Sequence, residues 1–125
     1  MRGWLRIAVP IAILSALGIY SALPRPTHDQ AKLKAIAAES RRLIAINMKG
    51  QSTESVDLAK DKWPPTIASL NPYSVTVRHD MVDITTRPFF DGGWGYGFAR
   101  DKRNLTMLME CWSVLGQNGY WHGPC

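Results

Sequence analysis

FFDGGWGYGFAR, residues 89–100, decides how the second half of this chain folds. Gly93, Gly95 and Gly97 alternate with Trp94, Tyr96 and Phe98. As a β-strand the stretch puts three aromatic rings on one face and no side chain on the other. Two readings follow. An exposed row of Trp94, Tyr96 and Phe98 is a binding ledge for sugar rings or an extended peptide. Turned inward, the same row is the wall of a small core, with the glycine face left open. Aromatic rings are the largest apolar contributors a small core can have, so the inward reading is preferred, with the three residues kept as candidate binding residues.

Working outward, the segments on either side also alternate with a period of two. YSVTVR places Tyr73, Val75 and Val77 on one face, and MVDITTR continues that face with Val82 and Ile84. The expected hairpin sets Val77 opposite Val82 and Val75 opposite Ile84 around a four-residue loop. Pro88 then ends the strand. Downstream, Leu105, Met107, Met109, Cys111 and Leu115 alternate along one long strand, which GQNG at 116–119 turns back into YWH. A five-residue loop over 116–120 sets Leu115 against Trp121 and Cys111 opposite Cys125. Those are the only two cysteines, and their pairing predicts a disulfide.

Upstream the period is helical. THDQ, residues 27–30, has the form of a capping box, with Thr27 as the cap. Leu33, Ile36, Ala37, Leu43, Ile44 and Met48 then form one apolar stripe, in which Ser40 and Asn47 are the polar members. Gly50 supplies the C-terminal cap. Residues 50–62 read as a polar loop, and the prolines of WPPTIASLNP open a short helix that Asn71-Pro72 ends. The expected fold is α+β: one long amphipathic helix and one short helix on an antiparallel sheet of four or five strands. Ten of the twelve aromatics lie in residues 63–125, where they furnish a one-sided core.

The N-terminus has a different character. Arg2 and Arg6 precede an uncharged run from Ile7 to Leu23. As a helix this run spans roughly 26 Å, the short end of what crosses a bilayer. A cleaved signal peptide, with Ala16 and Gly18 at the small positions, and a buried soluble helix are alternatives. An uncleaved signal-anchor fits best, because the run stays apolar past Gly18 and has no polar face. The expected organisation is a signal-anchor or transmembrane helix over 1–23 attaching to the membrane through residues 5–23, a break at PRP (24–26), and a single domain over 27–125. Arg2 and Arg6 favour a cytoplasmic N-terminus, although Arg25, Lys32 and Lys34 crowd the other flank. The cysteine pair suits an oxidising compartment. Together they predict a single-pass protein of the inner membrane with its C-terminal domain outside the cytoplasm.

The formal charge is +5. Residues 24–62 hold eight Lys/Arg against five Asp/Glu, whereas residues 63–125 hold five against five. The basic excess therefore borders the membrane segment, which suits lipid headgroups better than nucleic acid, and no nucleic-acid partner is expected. GGWGYG is neither a phosphate-binding P-loop nor a dinucleotide fingerprint, and no G-x-S-x-G, H-E-x-x-H or C-x-x-C occurs. His79, Asp80 and Asp83 read as a solvated turn, and His28 and His122 have no metal-ligand spacing. No cofactor, metal or catalytic residue is expected.

A hydrophobic N-terminus, a helix, an antiparallel sheet and a C-terminal disulfide loop together are similar in outline to a type IV pilin. The chain lacks that family's glycine cleavage point followed by Phe-Thr-Leu-Ile-Glu, and PRP interrupts the helix that pilins keep continuous. The expected function is a small membrane-tethered binding or interaction module outside the cytoplasm, an inhibitor of or protection against another envelope protein. The alternatives are a pilin-like structural subunit, which the resemblance implies, and an enzyme acting on envelope polymers.

Overall fold

The computed structural model describes residues 23–50, 52–90 and 92–125. The signal-anchor reading of residues 1–23 therefore lies, but for Leu23, outside the described residues. Among the described residues no helix is long and apolar enough to cross a membrane.

The fold is α+β, with a long helix α1 (Gln30–Met48) and a short helix α2 (Pro65–Ser69). The strands are β1 (Ser55–Asp57), β2 (Ser74–Arg78), β3 (Met81–Phe89), β4 (Gly92–Ala99), β5 (Trp112–Gly116) and β6 (Gly119–His122). They form one antiparallel sheet in the order β1-β2-β3-β4-β6-β5. The sheet has six strands rather than four or five, because Ser55–Asp57, expected as loop, pairs with β2.

The stripe of α1 covers one face of this sheet. Leu33, Ile36, Ala37, Leu43 and Met48 are buried against Val75, Val77, Val82, Ile84, Tyr96, Phe98 and Leu115. The helix starts on Asp29 rather than Thr27: the Asp29 carboxylate accepts from the N–H groups of Ala31 and Lys32. Thr27 and Gln30 are used otherwise. The Thr27 N–H donates to the Tyr96 hydroxyl at 2.8 Å, and Gln30 Nε2 donates to the Leu115 carbonyl at 2.9 Å. Farther along, the Glu39 carboxylate accepts from the N–H groups of Thr66 and Ile67, both at 2.9 Å. That ties α2 to α1 through donors that a helix start leaves unpaired.

The β2–β3 hairpin has the expected register, with Val77 opposite Val82 and Val75 opposite Ile84. Its loop is only His79 and Asp80, two residues rather than four. Pro88 does not stop β3, which runs on to Phe89 past an irregularity between Thr85 and Arg87.

The region after β4 departs furthest from expectation. Residues 105–115 are not one strand. Lys102–Asn104 and Met109–Cys111 are 3-10 turns, the first capped by the Asp101 carboxylate on the Arg103 N–H, and β5 begins only at Trp112. Gln117 and Asn118 both have positive φ, 55° and 61°, and close a tight two-residue turn with an irregularity between Val114 and Gly116. Ser113, not Leu115, consequently faces Trp121, and Trp112 faces His122. The Cys111–Cys125 disulfide forms all the same, with Cα atoms 5.9 Å apart. It joins two segments that have already left the sheet.

Nor is the glycine face of β4 open. The Trp112 indole and the Leu105 side chain lie over Gly97, so a Cβ there would meet the edge of the indole and a leucine methyl at 2.8–2.9 Å. His122 Nε2 lies over Gly95. Met81, Ala99, Leu105 and Trp112 make a second, smaller core on this side. The alternation of FFDGGWGYGFAR thus serves two layers: rings toward α1, and bare backbone on which a tryptophan rests.

Candidate functional site

The three aromatics of β4 do not share one environment. Tyr96 and Phe98 are buried in the α1 core. Trp94 is half-buried beyond that core, with the Phe89 ring edge-on at 5.7 Å and the Arg87 guanidinium 5.7 Å from its centroid. No continuous aromatic ledge is available to a ligand.

A cleft of about 580 Å³ opens instead where α1 crosses the far ends of the strands. Five separated segments of the chain line it. The helix supplies Ala37, Ser40, Arg41 and Ile44; the β2–β3 turn supplies His79 and Asp80; the end of β4 supplies Phe98, Ala99 and Arg100. Asn104 and Asn118 close it from the 3-10 turn and the β5–β6 turn. The apolar wall is the edge of the main core. The rim carries two guanidinium groups, one carboxylate and two amides.

Ser40 is the residue that sets this cleft apart. Its side chain is 2 % exposed, and its hydroxyl has no hydrogen-bond partner. Leaving a buried hydroxyl unpaired costs about 1–3 kcal/mol. A group presented in the cleft with a lone pair or a donor recovers that cost. His79 does not engage Ser40: its Nε2–H donates to the Thr53 carbonyl at 2.9 Å, and the Ser40 hydroxyl is not bonded to it. The pair therefore lacks the hydrogen bond that activates a serine nucleophile.

Comparison with protein-family models, with curated proteins and with solved structures returns no match. The site stands on its own geometry.

A second polar group lies on the opposite face of the sheet. Asp83, expected in a solvated turn, is on β3 and largely buried, with His122 and Arg78 near it. Asp83 Oδ1, Arg78 Nε and Trp112 Nε1 are buried without hydrogen-bond partners, and the Trp112 and His122 rings meet edge to face at 4.5 Å. Burial pushes the Asp83 carboxyl above its ordinary value of 3.8, against the opposing pull of His122 and Arg78. A raised folded-state pKa favours the protonated form, so its stabilising contribution is full below the unfolded pKa and is lost as pH rises through the folded one. Denaturant unfolding between about pH 4 and pH 7 should show wild type losing stability relative to Asp83→Asn as pH rises. A difference that is flat, or that grows in favour of wild type, would remove Asp83 from this account. Among the described residues no three His, Cys, Asp or Glu side chains are grouped to hold a metal ion.

Ser40 carried a signal in the sequence, as a serine inside an apolar stripe. Arg100, Asn104 and Asn118 carried none, because they meet only through the two turns whose course the alternation pattern misread.

Proposed function

We propose that the protein is a small membrane-tethered binding module whose body lies outside the cytoplasm and whose cleft takes a segment of another envelope protein. The carrying observation is Ser40, a buried and unpaired hydroxyl among the residues that line a cleft with Ile44 and Phe98 as apolar members and Arg41 and Arg100 beside them. That combination suits a ligand with an apolar part against Ile44 and Phe98, a hydrogen-bonding group at Ser40 and an acidic group between Arg41 and Arg100. Asp80 on the same rim selects against a uniformly acidic ligand.

The test is photocrosslinking from the cleft, with a photoreactive residue in place of the exposed Asn104 of the full chain in its native membrane. A discrete protein adduct is expected from this position. Absence of any adduct, or a ladder of the chain's own multiples as a filament subunit gives, rejects the proposal.

A further inference from the structure

The sheet has two unlike ends. Ser74, Thr85, Gly95, His122 and Trp112 form a row across β2, β3, β4, β6 and β5. Past that row, away from the cleft, lie Tyr73, the Phe89-Phe90 tip of the β3–β4 hairpin, Trp94, and the Leu108-Met109 segment that the Cys111–Cys125 disulfide pins. Eight large apolar side chains are exposed among the described residues, and five of them are here: Tyr73, Phe89, Phe90, Leu108 and Met109. Phe90 is 93 % exposed, and its backbone is held at φ 48°, a region that a bulky side chain rarely enters. At the other end are His79, Asp80, Arg100, Asp101, Lys102 and Arg103, with no exposed large apolar side chain among them.

We infer that the aromatic end of the sheet rests on the lipid surface of the membrane that holds the N-terminal segment. This rests on the tethered reading given above. The course of the chain chooses lipid as the occupant. Gln30 is fixed at Leu115 on the cleft side, and three residues earlier Thr27 is fixed at the Tyr96 hydroxyl, nearer the aromatic end. From Thr27 only Pro24-Arg25-Pro26 separates the body from Leu23, where the bilayer-length apolar run of the sequence ends. At about 3.3–3.6 Å per residue, that run joins the body within roughly 14 Å of Thr27. A body on so short a stem is held at the membrane surface, with the end nearest the stem facing it.

The composition of that end matches a bilayer interface. Aromatic rings prefer headgroup level, and basic side chains beside them reach anionic lipid. Arg87 stands against Trp94, and Lys60 and Lys62 are exposed on a 3-10 turn that follows β1 toward the same end. Asp61, Glu110 and Asp91, which follows Phe90 in the sequence, are the acidic residues beside these aromatic and basic ones in the chain. Contact here leaves the Ser40 cleft pointing away from the lipid, open to a partner.

The experiment uses the full chain in its native membrane, with the photoreactive analogue p-benzoylphenylalanine in place of Phe90 or, as a control, of Arg103. Fractionation comes first: a chain released by alkaline washing overturns the tethered reading and this inference with it. For a chain that stays in the membrane, phospholipid adducts are expected from position 90 and none from position 103. Protein adducts alone at position 90, equal lipid yields at both positions, or no adduct at 90 would each overturn the inference while leaving the tether standing.

Discussion

Phe98→Ala should cost about 3–5 kcal/mol of unfolding free energy, the usual loss for truncating a buried phenylalanine. The Phe98 ring is 2 % exposed; it stacks beside Tyr96 with centroids 6.2 Å apart and lies close over Gly119. Val82 stands opposite it on β3, and both belong to the packed core that includes Leu33 and Ile36. Trp94→Ala should cost far less, within about 1 kcal/mol, since the indole lies outside that core and truncations at partly exposed sites seldom exceed this. Chemical denaturation of both variants checks the contrast. A near-neutral Phe98→Ala, or equal losses in the two, would overturn the division of the aromatic strand into core and rim.

Removing the disulfide should have the next largest effect. Cys111 and Cys125 are 14 residues apart in sequence. Closing a loop of that length is worth roughly 3 kcal/mol in the chain-entropy account, a large share of the typical 5–15 kcal/mol margin of a domain. Thiol labelling of the unreduced, purified protein should find no free thiol, and Cys111→Ala with Cys125→Ala should lower the unfolding free energy by about that amount while the far-ultraviolet spectrum is kept. Two titratable thiols before reduction would contradict the pairing.

Which parts of this architecture could be read from residues alone follows from how local their causes are. The α1 stripe, the short helix behind Pro64-Pro65 and the Val77–Val82 register each depend on neighbours a few positions away, and each is present. Residues 105–115 do not form the single strand that their alternation predicts, because the alternation is coincidental. Leu105 and Trp112 are drawn to the same glycine patch on β4 by contacts across the sheet, with Met109 left exposed between them. The disulfide was foreseen from a register that does not exist: two cysteines in one short tail have few ways to avoid each other, whatever the turn between them. The cleft was the least legible part. Its lining comes from five separated segments, and only the placement of Ser40 within an apolar stripe hinted at it.

The central claim is that partners are engaged at the far-end cleft, which takes in only the Phe98 end of the aromatic strand. It is tested most directly by adding Arg41→Glu and Arg100→Glu to the chain that carries the photoreactive residue at position 104. Both arginines are exposed rim residues, so the thermal midpoint should stay close to that of the parent. The account predicts that the discrete adduct disappears while membrane attachment and the midpoint are retained. An adduct formed at full yield by the charge-reversed chain would contradict it.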